Sequence, residues 1–154
     1  MSSAAEQLAA LGLTLPPVAA PVAAYVPAVR SGSYVYVSGQ LPVVDGKLPA
    51  TGKVGDAVSA QDAAGMARTC ALNALAAAAS AAGGLEGIRR IVKVTGFVAS
   101  APGFSGQPQV INGASELFIE VFGEDGKHAR SAVGVAELPL NAPVEVELIA
   151  EVRD

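Results

Sequence analysis

Residues 127–151 read KHARSAVGVAELPLNAPVEVELIAE and predict two β-strands joined by a proline-bounded turn. In the first strand, alternation puts Arg130 on a face whose following side chains are only alanine and glycine. In the second strand, aliphatic residues alternate with carboxylates that begin at Glu145. One strand therefore offers a guanidinium with open space beside it, and the next offers carboxylates. Taken alone, the pattern also describes an exposed face with ordinary surface ion pairs.

Composition restricts both the core and the partners of the chain. A length of 154 residues suits a single domain, and an aromatic content of 5% without tryptophan predicts an aliphatic, alanine-rich core. The net charge is −4 and no basic cluster exceeds Arg89-Arg90, which argues against a nucleic-acid partner. One cysteine, Cys70, excludes an intramolecular disulfide, and with His128 it forms no metal-ligand spacing.

The N-terminal residues predict an appendage to the main domain. Ser3 and Glu6 have the spacing of a capping box, so a short helix is expected there. Residues 13–24 contain three prolines and are expected to form an extended connector. No basic signal-peptide start and no membrane span is present, so a cytoplasmic protein without a membrane partner is expected.

The remaining chain alternates strand and helix patterns. Residues 25–38 predict a hairpin, 40–56 a loop, 59–82 a helix containing a buried Cys70, 91–98 a strand buried on both faces, and 110–122 a second helix, before the closing hairpin. The order ββαβαββ indicates an α+β domain with two helices on one face of a mixed sheet. Because nothing in the chain is left to cover the other face, a homo-oligomer is expected.

Few groups in the chain can carry chemistry. There is no Ser-His-Asp set, phosphate-binding loop, dinucleotide glycine pattern or cysteine pair. His128 is expected to be a loop residue at the entrance of a strand rather than a catalyst. Arg130 and the carboxylates suit recognition of a small carboxylate together with activation of a water molecule.

Several stretches resemble the Rid family, the YjgF-like reactive-intermediate deaminases that are sometimes labelled endoribonuclease L-PSP. The resemblance covers most of residues 20–152, and the similar stretches follow the family's order. They are Tyr25-Val26, Ser38-Gly39-Gln40-Leu41-Pro42, residues 91–95, Ile111-Asn112 with Glu116 and Phe118, residues 129–133, Leu138-Pro139 and residues 144–150.

This resemblance implies a chorismate-mutase-like subunit that forms a homotrimer with sites in clefts between subunits. It implies that residues 21–154 form the family domain, preceded at 1–20 by the N-terminal helix and connector. In deaminating members the arginine at Arg130 grips the substrate carboxylate, and the glutamate at Glu145 activates the attacking water. The site wall would comprise Tyr25, Ser38, Gly39, Asn112 and Ala132.

The chain departs from the family pattern at several of these places. The family's frequent cysteine is Ala132 here, which removes any thiol role while leaving backbone groups able to bind. A Gly-Pro before the tyrosine is Ala23-Ala24, and an aromatic residue expected after Asn112 is Ser115. These changes bear on the substrate and not on the fold.

The resulting hypothesis is hydrolysis of small enamines or imines of 2-oxo acids to the 2-oxo acid and ammonia, without a metal or organic cofactor. The alternative is a non-catalytic module that binds a small carboxylate metabolite in the same pocket. Ribonuclease activity is disfavoured, because the acidic chain lacks both an electrostatic track and a pair of histidines.

Overall fold

The computed structural model describes residues 2–21 and 23–154, and within them a five-stranded sheet lies under two long helices. Val22, in the predicted connector, and Met1 lie outside the described residues. The elements are α1 (Ala4–Ala10), β1 (Ala28–Ser31), β2 (Tyr34–Gln40), α2 (Ala60–Ala82), β3 (Ile88–Ala99), α3 (Gln107–Phe122), β4 (Ala129–Val135) and β5 (Val144–Val152). The predicted ββαβαββ order of an α+β domain is confirmed, with α1 added in front.

The strands lie in the order β1-β2-β5-β3-β4, and all neighbours are antiparallel except β3 and β4. The predicted closing hairpin is therefore wrong, because β3 separates β4 from β5. The reason is that β3, α3 and β4 form a crossover unit, which places β4 beside and parallel to β3. Residues 136–143 then lead the chain to the other side of β3.

Both long helices cover one face of the sheet, with α2 across β2 and β5 and α3 across β3 and β4. As predicted, α2 starts at the cap Ser59, whose hydroxyl accepts from the Asp62 amide at 3.0 Å, and ends at Gly83 in the left-handed conformation. The helix predicted for 110–122 begins earlier, at Gln107, because Pro108 is tolerated in a first turn.

The core between sheet and helices is aliphatic and alanine-rich, as the composition predicts. Its largest fully buried side chain is Phe118, and the next largest are leucine, isoleucine and valine. Gly96 in β3 allows α3 to approach closely, because a Cβ there would overlap the side chain of Ile111. The predicted capped helix α1 is also confirmed, and its Leu8 is buried in the same core.

Neither long helix covers the opposite face of the sheet, called the open face here. Its exposed apolar side chains are Val29, Tyr34, Tyr36 and Val133. The expectation that β3 is buried on both faces is wrong for the single chain. Val94 and Val98 are fully buried under the helices, whereas Phe97 on the open face is only partly buried.

Candidate functional site

Arg130 extends from β4 toward α3 on the helix-covered side of the sheet. Its Nη1 donates to Asn112 Oδ1 at 2.8 Å and to Ser115 Oγ at 3.2 Å, and Nη2 makes a long contact of 3.5 Å with the Pro108 carbonyl. These acceptors are all neutral, and none of the ion pairs among residues 2–21 and 23–154 includes Arg130. A partly buried guanidinium held this way keeps its charge available for an anion.

Ser115 and His128 extend this arrangement behind the arginine. Ser115 Oγ lies 2.9 Å from His128 Nε2, and His128 Nδ1 lies 2.6 Å from the Gly126 carbonyl oxygen. The imidazole ring also makes a T-shaped contact with Phe118, with ring centroids 5.8 Å apart. Burial lowers the pKa of His128. The Gly126 hydrogen bond partly offsets this decrease, and the nearby charge of Arg130 makes a smaller contribution that lowers the pKa again.

Glu145 lies near the start of β5 and points to the open face. Its neighbours Val144 and Val146 are fully buried on the helix side, so alternation turns the carboxyl the other way. Burial raises the pKa of Glu145, and the charge of Glu147 adds to the increase. A half-buried carboxyl with a raised pKa suits a group that accepts and returns protons during a reaction.

Gly39 fits directly against the Glu145 carboxyl group. A Cβ at position 39 would overlap the carboxylate oxygen and lie 2.7 Å from its carbon, so the contact requires glycine. The β2–β5 register shifts between Val37 and Gln40, and this bulge turns Gly39 toward Glu145. Beside it, the Ser38 hydroxyl donates to the Val26 carbonyl at 2.6 Å.

A pocket, called the Glu145 pocket here, opens beside this carboxyl. Its lining residues are Ala19, Ala20, Pro21, Tyr25, Pro27, Gly39, Gln40, Leu41, Val43, Pro139, Leu140 and Glu145. The pocket thus brings together three of the predicted site residues: Tyr25, Gly39 and Glu145. Most of its remaining wall is apolar, which accounts for the desolvation of the carboxyl.

The other predicted site residues lie outside the Glu145 pocket. Asn112 contacts Arg130, and Ala132 follows Arg130 on the same face, packed against the core. None of these three lines the Glu145 pocket. The expectation that Arg130 and Glu145 lie on neighbouring strands is wrong, because β3 lies between their strands and their side chains leave opposite faces.

Some functional contacts were not predicted from the sequence. Residues 19–21 of the connector form one wall of the Glu145 pocket, although their proline content predicted only an extended segment. Asn73 of α2 is only 5% exposed, and its Nδ2 donates to the carbonyls of Leu41 and Val43 at 3.0 Å each. A single asparagine in an alanine-rich helix was the available signal for this support of the wall.

Cysteine and metal chemistry have little support in the described residues. Cys70 is fully buried as predicted, and burial raises the pKa of its thiol, with the charge of Glu145 contributing further. No group of three potential ligands among His, Cys, Asp and Glu lies together within residues 2–21 and 23–154. Within the same residues, every helix is too short or too polar to cross a membrane.

Comparison with known proteins places the chain among several relatives. The family described as YjgF/chorismate mutase-like, putative endoribonuclease matches residues 5–152. Protein TCP17 of Trypanosoma cruzi is 44% identical over 151 residues, which are 97% of this chain and 94% of that one. The 2-iminobutanoate/2-iminopropanoate deaminase of Salmonella typhimurium is 38% identical over 131 residues, covering 85% and 89%.

A solved structure matches the fold over almost its whole length. The protein Atu1372 of Agrobacterium tumefaciens, of unknown function, is 49% identical to this chain. The match covers 97% of this chain and 93% of that one, with a TM-score of 0.90.

Proposed function

Because the chain belongs to the YjgF/chorismate mutase-like family, the Rid family of the sequence resemblance, we propose that it hydrolyses small imines or enamines of 2-oxo acids. The products are the 2-oxo acid and ammonia. This is the reaction class in the name of a relative, the 2-iminobutanoate/2-iminopropanoate deaminase. In this chain Arg130 would bind the substrate and Glu145 would transfer the protons.

The main support for the proposal is the burial and the hydrogen bonding of the Arg130 guanidinium. A guanidinium that is partly buried, oriented by Asn112 and Ser115, and not paired with a carboxylate is suited to bind one from a ligand. A carboxylate that accepts two parallel N–H donors is bound with a defined orientation as well as a favourable energy. The substrate of an imino-acid deaminase supplies that carboxylate next to the C=N bond.

Glu145 supplies the proton transfers in this proposal. Its carboxylate takes a proton from water as the water oxygen bonds to the imine carbon and the nitrogen takes up a proton. The nitrogen's proton comes from solvent. The resulting tetrahedral amino alcohol collapses when the C–N bond breaks: Glu145 returns its proton to the departing amine, and the hydroxyl releases its proton to solvent as the C=O bond forms. One water enters and one ammonia leaves, so the reaction needs no oxidant or reductant. The raised pKa of Glu145 supports both directions of transfer.

The positions of the two residues call for more than one chain in the complete site. A small substrate cannot contact side chains on opposite faces of the same sheet. We therefore propose that Arg130 of one subunit meets the Glu145 pocket of another. The apolar open face, with Tyr36 47% and Val133 43% exposed, supports association through this face. Identical, non-reciprocal contacts can close into a ring of subunits, and we propose the homotrimer that the family resemblance implies.

The direct test is turnover of a freshly formed imine. A threonine dehydratase would release 2-iminobutyrate, and the appearance of 2-oxobutyrate would be followed with and without the protein. The proposal predicts a rate above spontaneous hydrolysis that is indifferent to EDTA. If several imino acids are hydrolysed only at the spontaneous rate while 2-oxobutyrate still binds through Arg130, the chain is a carboxylate-binding module and not a deaminase.

A further inference from the structure

We propose that Ser115 and His128 are positioning residues for Arg130, acting as a hydrogen-bonded relay that ends at the Gly126 carbonyl. This inference rests on the proposed function, in which Arg130 binds the substrate carboxylate. It concerns residues that the family resemblance does not assign to the site. We call Ser115, His128 and the Gly126 carbonyl the neutral relay.

The direction of every hydrogen bond in the neutral relay follows from its chemistry. The Gly126 oxygen can only accept, so His128 Nδ1, 2.6 Å away, carries the proton. Neutral imidazole then has an unprotonated Nε2, which accepts the hydroxyl proton of Ser115 at 2.9 Å. With its proton directed to His128, Ser115 Oγ offers its lone pairs to Arg130 Nη1 at 3.2 Å. Each member thereby orients the next.

The relay determines which edge of the guanidinium meets a ligand. The two protons of Nη1 have two acceptors on α3, Asn112 Oδ1 and Ser115 Oγ, three residues apart on the same helix face. Two acceptors on one nitrogen define the guanidinium plane. Without Ser115, Asn112 and the long 3.5 Å contact from Nη2 to the Pro108 carbonyl would hold that plane less firmly. The Nε and Nη2 edge of Arg130 is then presented as the two-pronged donor for a carboxylate.

The same atoms also have the spacing of a nucleophilic serine and its base, but the surroundings favour positioning. Ser115 is 9% exposed, and its hydroxyl is already bonded to His128 and Arg130, which restricts the access of an electrophilic substrate to it. His128 makes a T-shaped contact with the buried ring of Phe118 and is oriented by a carbonyl rather than a carboxylate. The hydroxyl is instead occupied as both donor and acceptor.

The experiment compares Ser115→Ala and His128→Leu with His128→Gln, whose side-chain oxygen again offers Ser115 an acceptor. Ser80→Ala is the matched control, since Ser80 is a helical serine whose hydroxyl bonds the Ala77 carbonyl away from the site. Calorimetry would give the Kd for 2-oxobutyrate, and the imine assay would give KM and kcat. We expect Ser115→Ala and His128→Leu to raise Kd and KM on the order of tenfold with kcat little changed. His128→Gln should recover most of the loss, and Ser80→Ala should behave as wild type.

A second measurement needs neither ligand nor turnover. Nitrogen NMR of the wild type should show His128 protonated at Nδ1, and the side-chain N–H protons of Arg130 should exchange faster with water in Ser115→Ala. Unchanged exchange of the Arg130 protons in Ser115→Ala would overturn the relay. If the wild type binds 2-oxobutyrate, an unchanged Kd in Ser115→Ala and His128→Leu would also overturn it. Both results would leave the proposed function standing. Labelling of Ser115 by a fluorophosphonate would also overturn it, by revealing a nucleophile. A wild type that neither binds nor turns over these compounds, yet shows the NMR effect, would contradict only the proposed function.

Discussion

Arg130 and Glu145 leave opposite faces of the sheet, with one strand between their own strands. Arg130 pairs with Val94, which is buried under the helices, whereas Glu145 pairs with Phe97 on the open face. Both residues are partly buried, and each is supported by neighbours that suit a role in binding or proton transfer. A reaction that uses both therefore requires a surface from a second subunit.

Replacement of Arg130 tests the anchoring role. Arg130→Ala should weaken binding of 2-oxobutyrate by about 2–5 kcal/mol, because a ligand carboxylate loses a desolvated partner. Arg130→Lys should recover only part of this, since an ammonium keeps the charge but not the planar pair of donors. Calorimetry would measure both. Arg68→Ala, which removes a salt bridge between α2 and α3, is the control and should leave binding unchanged. Full binding by Arg130→Ala would exclude this residue from the site.

The raised pKa of Glu145 predicts how activity and stability depend on pH. Turnover needs the ionised carboxylate, so kcat should fall with decreasing pH at values above the ordinary glutamate pKa of 4.5. Glu147→Gln removes the neighbouring charge that contributes to the shift, and should move this fall to lower pH. Glu145→Gln should keep ligand binding and lose turnover. A pH profile that Glu147→Gln leaves unchanged would argue that Glu145 is not the titrating group.

Most carboxyl groups that affect stability have a lowered pKa in the folded protein, so the free energy of unfolding rises with pH. Glu145 is expected to have the opposite effect. Because the folded-state pKa of Glu145 is raised, the folded protein holds this proton more tightly, and stability is lost as pH rises through that pKa. Glu145→Gln, which cannot ionise, should therefore unfold at a higher temperature than wild type at pH 8 and at nearly the same temperature at pH 4. Thermal unfolding followed by circular dichroism at both pH values would measure the difference.

Gly39→Ala should separate folding from catalysis. The new methyl group must displace the end of the Glu145 side chain, which is flexible, so the stability change should stay within about 1 kcal/mol. The carboxylate would move from its position in the pocket, and kcat should fall on the order of tenfold or more. Gly65→Ala is the control, because a Cβ there meets nothing within 4 Å and should add about 0.5–1 kcal/mol to the stability of α2. Undiminished kcat in Gly39→Ala would disconnect this contact from the reaction.

The open face predicts the assembly. Light scattering of the wild type should give about three times the chain mass of 15.3 kDa. Val133→Asp places a charge on the open face and should reduce the mass toward that of a monomer, with loss of turnover. Ile119→Asp is the comparison, since Ile119 is similarly exposed, at 39% against 43%, but belongs to α3 in the helix layer. Equal masses for the two variants would place the interface elsewhere.

The order of elements could be predicted from the sequence because it depends on local signals. Ser59 and Gly83 bound α2, and the apolar stripe of α3 has helical spacing. The neighbours of β4 and β5 could not be predicted in the same way. Adjacent strands in sequence are most simply joined as a hairpin, and only the crossover through α3 shows that β3 lies between them.

The resemblance supplied candidate site residues, whose roles stay a prediction, but not their geometry. The resemblance named Arg130, Asn112, Gly39 and Glu145, yet periodicity cannot show on which side of a neighbouring strand a side chain emerges. His128 illustrates the same limit, since its position before β4 indicated a loop, whereas its hydrogen bonds depend on the packing of α3 against the sheet. Contacts between elements distant in sequence carry that information.

Mixing two inactive variants tests the account's central claim most directly. Arg130→Ala and Glu145→Gln would be purified separately, allowed to exchange subunits, and assayed with 2-iminobutyrate. If each site takes Arg130 from one subunit and Glu145 from the next, every mixed trimer contains one intact site. An equal mixture should then recover about one quarter of wild-type activity. Recovery of no activity, after mass spectrometry has confirmed that mixed trimers formed, would contradict a site shared between subunits.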